Sequence, residues 1–127
     1  MAKNFRDLTV YKKAFNLAMF VFDLTQKFPP EEKYALSDQV RRSSRSVCRA
    51  IGEGYRKRRY PKHFISKISD ADMENTETQI SMDFAFACGY ITKKENLEVR
   101  TRSEEIGKLL NHMMNNPTLY QRKAKHN

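Results

Sequence analysis

The chain has 127 residues, 24 Lys or Arg against 15 Asp or Glu, and a net charge of +9. That length suits one domain with one modest core, of a size that often gains from oligomerising, and 39% hydrophobic residues separate it from a disordered chain. Four Gly and four Pro are too few for an all-β protein built on tight turns, and no apolar run approaches the roughly 20 residues that span a bilayer.

The start "MAKNFRDL" is charged and lacks an apolar signal core, so a cytoplasmic protein is expected. In that reducing setting Cys48 and Cys88, which form no CxxC pair, are expected to be free thiols. A pI near 9.7 favours an acidic partner.

Punctuation then divides the chain into four helical segments. The first is expected over Thr9 to Lys27, stopped by "FPP" at Phe28–Pro30. Val10, Ala14, Leu17, Val21 and Leu24 form one stripe, and Tyr11, Phe15, Ala18 and Phe22 a second beside it. Together they cover an apolar arc about 200° wide, about twice what a surface helix needs. The second helix is expected over Glu31 to Lys57, with Pro30 suited to a first turn. Leu36, Val40, Val47 and Ile51 face inward, and Ser43 and Ser44 are small enough for close packing.

The third helix is expected over Lys62 to Cys88. Phe64, Ile68, Ala71, Asn75, Thr78, Met82 and Ala85 share one face, while Met73, Ile80, Phe84 and Ala87 lie nearly opposite. A helix that is apolar on two sides buries both, so one side serves the core and the other is a candidate subunit interface. Gly89 is a candidate C-cap. The fourth helix is expected over Lys93 to Asn115, with Leu97, Ile106, Leu109, Leu110 and Met113 as its stripe. A basic, flexible tail is expected from residue 117 to 127, leaving residues 1–116 as the expected domain. Short links between long helices predict an all-α, antiparallel up-down-up-down four-helix bundle.

The charge is concentrated. Between Val40 and Lys62 nine Lys or Arg stand against a single acid, Glu53, so this stretch holds +8 of the chain's +9. On a helical wheel Arg41, Arg42, Arg45, Arg49 and Arg56 share a sector about 100° wide, almost opposite Val40, Val47 and Ile51. The period therefore predicts an outward arginine strip, continued by Lys57, Arg58, Arg59 and Lys62 at the turn. One reading is a solvated or ion-paired face: Asp38 stands at i−4 from Arg42, and Asp70, Glu74 and Glu77 share a sector of the third helix. The other is phosphate binding, for which Arg is preferred over Lys, with Tyr55 and Tyr60 placed at the margins to stack on bases. No helix-turn-helix, RNP or zinc-finger pattern supports base-specific readout. A membrane surface is disfavoured because the apolar face of this helix is needed for the core.

No catalytic constellation is visible. His63, His112 and His126 are far apart and make neither HExxH nor Glu-x-x-His, and no Gly-rich phosphate loop appears. Glu74 and Glu77 at i+3 read as surface acids. Gly52 and Gly54 read as allowing close helix approach or termination, and Cys48 has no His base near it in sequence. A non-enzyme without metal or cofactor is expected.

"FRDLTVYKKA" (Phe5–Ala14), "KFPPEEKYALSDQVRRSSRSV" (Lys27–Val47), "IGEG" (Ile51–Gly54), "ETQ" (Glu77–Gln79) and "CGYI" (Cys88–Ile91) stand in an order and spacing that resemble the four-helix-bundle proteins encoded in intervening sequences of bacterial 23S ribosomal RNA genes. The resemblance runs from about Phe5 to Met114. It implies a four-helix bundle, commonly a homopentameric ring, and a non-enzyme of unsettled function. A more remote likeness, to the accessory variability proteins of diversity-generating retroelements, implies a basic pentamer that binds nucleic acid and a reverse transcriptase. This chain departs from the family pattern at Ala50, Gly52 and Asn75, and Ala50 and Asn75 are expected to compensate each other across a helix contact.

The function expected is a nucleic-acid-binding accessory protein that self-associates and takes RNA before DNA. Its expected site is Arg41, Arg45, Arg49 and Arg56, with Arg58, Arg59 and Lys62 at the turn. The alternative is a protein–protein scaffold whose arginines pair with acidic surfaces.

Overall fold

The computed structural model describes residues 4–121. Four helices, α1 (Thr9–Thr25), α2 (Leu36–Arg56), α3 (Pro61–Ala87) and α4 (Lys93–Asn115), form a four-helix bundle. Each helix packs on its neighbours in sequence and α4 closes on α1, whereas neither diagonal pair meets in this way among the described residues. One core runs the length of the bundle, with Val21, Val40, Ile51, Phe64, Ile68, Met82, Ile106 and Leu110 at its centre.

The α3 period is legible residue by residue: its buried set is Phe64, Ile68, Ala71, Asn75, Thr78, Met82 and Ala85. α3 ends as Gly89 suggests. Gly89 adopts φ +79°, its N–H bonds to the Phe86 carbonyl, and the Tyr90 N–H reaches back to Ala85. That pair of bonds is a Schellman cap, which a residue with a Cβ adopts only at a cost. α4 opens on a reciprocal capping box, with the Thr92 hydroxyl accepting from the Glu95 N–H and the Glu95 carboxylate accepting from the Thr92 N–H. Lys27 reaches the other oxygen of Glu95 at 2.6 Å. The Glu95 carboxyl is held below its ordinary range, first by Lys27 and then by the Thr92 N–H.

Four expectations need correction. α2 starts at Leu36, not Glu31: Pro29 is extended, and Pro30–Glu32 forms a single 3-10 turn instead of a first helical turn. Glu32 then caps the real start, one carboxylate oxygen accepting from the Leu36 N–H at 3.3 Å and the other from the Tyr90 hydroxyl at 2.8 Å. The second bond is the main reason why the Tyr90 hydroxyl is pushed up to about 12.

Leu97 does not belong to the α4 stripe and is 57% exposed. It stands about 180° from Ile106 on the wheel, and Asn96, Val99 and Ser103 take the inward positions.

Asn75 does not compensate Ala50. Its amide nitrogen donates to the Ser103 carbonyl of α4 at 2.8 Å, its side-chain oxygen accepts from the Ser103 hydroxyl at 2.8 Å, and Gln79 donates to that hydroxyl. Between α2 and α3 a buried polar contact joins Ser43 to Thr78, 2.8 Å apart.

Packing also continues past the boundary expected at residue 116. Pro117–Leu119 forms a 3-10 turn, and the Tyr120 ring stacks on Phe64 with centroids 5.6 Å apart. The basic residues of the expected tail, from residue 122 on, lie outside the described residues.

α2 and α3 approach closely because Ser43 and Gly54, with Ala50 in the same sector of the wheel, present little bulk to the contact. A Cβ on Gly54 would lie 2.8 Å from the Ile68 Cδ1 and 3.2 Å from the Lys67 Cβ. Ile68 is fully buried, so its Cδ1 would have to shift within the packed core. Gly54→Ala is therefore expected to lower stability by about 1–2 kcal/mol, overpacking outweighing the helix-propensity gain of about 0.5–1 kcal/mol. Denaturant unfolding checks this, and a rise in stability would mean that the two helices are less tightly opposed.

Candidate nucleic-acid interface

With Val40, Val47 and Ile51 turned into the core, α2 presents its arginines outward. Arg45, Arg49 and Arg56 follow one another along the helix, and Arg59 and Lys62 extend them around the α2–α3 turn. All five are exposed. Among the described residues none of the five enters an ion pair. The one acid of the segment, Glu53, points elsewhere and bridges Lys67 of α3 at 3.3 Å.

Arg41 and Arg58 are placed differently. The Arg41 Nε donates to the Thr25 hydroxyl at 2.7 Å, and its guanidinium lies 4.8 Å from the Phe22 ring centre. It is half-buried and clasps α2 to α1. Arg45 extends over the same ring at 5.8 Å while its side chain stays exposed. Arg58 folds back to donate to the Tyr55 carbonyl at 2.8 Å and covers the Tyr55 ring at 3.9 Å. Arg42 bridges Asp38 at 3.6 Å, as its i,i+4 spacing suggests.

The tyrosines expected at the margins separate. Tyr55 is only 7% exposed and sits beneath Arg58, so it offers no open face to a base. Its wheel position, one turn beyond Ile51, already places it near the inward side. Tyr60 is exposed.

The α3 acids do not neutralise the strip. Beyond Arg42, a groove of about 510 Å³ opens between α2 and α3, lined by Asp38, Arg42, Glu74, Glu77 and Ile80 among others. Burial, followed by the neighbouring Glu77, pushes the Glu74 carboxyl up. Among the described residues, no α2 arginine bridges an α3 acid.

One basic group is not legible from periodicity. The Phe5 ring sits 3.5 Å from where a Gly52 Cβ would be, in the same sector as the strip, and Arg6 lies over that ring at 4.5 Å. The 3-10 turn Phe5–Asp7, closed by an Asn4–Asp7 capping box, thus brings Arg6 beside α2. A ring seated on a glycine is a tertiary contact and has no local signature.

No group of three or more His, Cys, Asp or Glu able to hold a metal occurs among the described residues, and His126 lies outside them. Both cysteines are free, and burial pushes the Cys48 thiol up to about 11, which leaves it unreactive at neutral pH. No described helix is long and apolar enough to cross a membrane.

No curated protein matches the chain. Among solved structures, a protein of unknown function from the S23 ribosomal protein family of Bacteroides thetaiotaomicron is similar at 27% identity, with a TM-score of 0.75 over 84% of this chain and 95% of that one. The family model for the 23S rRNA-intervening sequence protein matches residues 6–112. That span takes in all of α1, α2 and α3, the arginine strip and nearly all of α4, and the chain belongs to the 23S rRNA-intervening sequence protein family.

Proposed function

We propose that this chain is a non-enzymatic, cytoplasmic accessory protein that binds nucleic acid through the outward face of α2 and the α2–α3 turn. The observation that carries the reading is the row Arg45, Arg49, Arg56, Arg59 and Lys62, exposed and without an ion pair among the described residues. Arg45 and Arg49 stand about one helical turn apart, about 6 Å along the axis, and Arg56 about two turns further on, a row of guanidinium groups that suits phosphates better than it suits itself. RNA comes before DNA because the family takes its name from an RNA sequence. Arg41 and Arg58 support the surface from beneath rather than leading the contact.

Self-association belongs to the same reading. Met73 (57% exposed), Ile80 (50%) and Phe84 (61%) leave the second face of α3 uncovered in a single chain, and Phe15 and Met19 do the same on α1. Covering these residues in a ring of copies would repeat the arginine row on each subunit and raise avidity without new contacts. Five is the subunit number that the family resemblance suggests. The same apolar residues favour the second reading, a protein–protein scaffold, if their partner is a different chain.

Two measurements test the proposal. Light scattering is expected to give a mass that is a multiple of 15.0 kDa, and the mass of one chain would overturn self-association. Fluorescence anisotropy with a labelled structured RNA is expected to show affinity falling with salt. If each of the five bases neutralises one phosphate, the log–log slope is about −3.5 to −4.5 per subunit. Arg45→Glu/Arg49→Glu, with unchanged oligomeric mass, is expected to lose affinity and to flatten the slope by about 1.4 or more. Equal binding by both proteins, or binding by neither, favours the scaffold.

A further inference from the structure

Between Glu53 and Asp70 the chain has no acid, and within that stretch lie Arg56, Lys57, Arg58, Arg59, Lys62 and Lys67. Tyr60 is the exposed aromatic residue there, at 53%. The other large exposed aromatics among the described residues, Phe15, Tyr34, Phe84 and Phe86, all lie outside the stretch.

The position of Tyr60 is fixed from both sides. Its N–H donates to the Lys57 carbonyl at 2.8 Å, and its own carbonyl accepts from the Phe64 N–H at 2.9 Å. Pro61 follows as the first residue of α3 and restricts Tyr60 to the extended backbone it adopts, φ −116° and ψ 94°. His63 meets the ring nearly perpendicularly, at 87° with centroids 6.0 Å apart, so it does not stack on Tyr60, and more than half of the residue stays exposed. A flat ring with two rotatable bonds, carried on a fixed backbone, loses little entropy when something stacks on it.

We infer that Tyr60 is a stacking platform for an unpaired nucleobase, with Arg59 and Lys62 taking the phosphates on either side. This rests on the nucleic-acid reading and narrows it to single-stranded RNA, meaning loops, bulges or ends. In an A-form duplex the base faces are buried against one another and reach no such ring. Every base has a π face, so the platform tolerates sequence while selecting for strandedness. Tyr55, sealed beneath Arg58, leaves Tyr60 as the ring that does this.

The test compares a labelled single-stranded RNA without self-complementarity with its own duplex, by anisotropy across a salt series. The proteins are wild type, Tyr60→Ala, Tyr60→Phe and Arg45→Glu/Arg49→Glu. Wild type is expected to prefer the single strand. Tyr60→Ala is expected to weaken single-strand binding about tenfold while leaving duplex affinity and the salt slope unchanged, and Tyr60→Phe to behave as wild type. If Tyr60→Ala binds the single strand as wild type does, or loses both RNAs equally, the platform is overturned. The nucleic-acid reading survives that result if the double arginine variant still loses binding. If wild type binds neither RNA, both inferences fall.

Discussion

Where Gly54 meets Ile68 there is no room for even a methyl group, and much of the character of the surface follows from that approach. A helix that lies so close to its neighbour needs small residues at the approach, here Ser43, Ala50 and Gly54. With Leu36, Val40, Val47, Ile51 and Tyr55 buried, the positions of the other long side chains of α2 lie towards its outer side. Arginine occupies most of them, its aliphatic stem covering apolar neighbours while its head stays in water. Phe22 of α1 lies beneath Arg41 and Arg45 in this way. The tightness of the core and the basicity of the surface are two sides of one helix.

Opposite charges are kept on separate edges. Along the chain from Arg45 to Lys62 the one acid is Glu53, which Lys67 holds. Past Arg42, Glu74 and Glu77 stand close enough on α3 to repel, and the Glu74 carboxyl is pushed up mainly by burial. Inside the bundle, polarity is used sparingly and is fully paired. Asn75, Gln79 and Ser103 join α3 to α4, Ser43 and Thr78 join α2 to α3, and no described buried side-chain nitrogen or oxygen lacks a partner. Such contacts favour one vertical register of α3 on α4, because a slide of one turn, about 5.4 Å, would strand Asn75, Gln79 and Ser103, whereas Ser43 and Thr78 also bond to carbonyls of their own helices.

Most of the fold is legible in the sequence because its signals are local. The seven-residue buried face of α3, the Gly89 cap and the limits of α4 all follow from spacing and residue type. The misreadings have physical causes. Pro30 followed by Glu31 and Glu32 has the composition of a helix start, yet the Pro29–Pro30 pair leads into a 3-10 turn, and Glu32 caps a helix that begins later. Leu97 is apolar, yet its angle faces solvent, and Tyr55 stands among basic neighbours, yet its angle faces inward. The arginine strip is legible as a face. That Arg41 is held by Thr25 and Phe22, or that Phe5 carries Arg6 onto Gly52, depends on which helix lies alongside, and no single segment encodes that.

The turn that gathers the basic residues has a consequence of its own. Lys57, Arg58 and Arg59 form consecutive trypsin-type cleavage points at an exposed junction between two long helices. The backbone there is closed by hydrogen bonds from Arg58 to Tyr55 and from Tyr60 to Lys57, so a protease must wait for the turn to open locally. The rate of nicking is therefore a clock for the opening of this turn alone. Anything seated on its basic side chains would slow that clock while the rest of the bundle stayed unchanged.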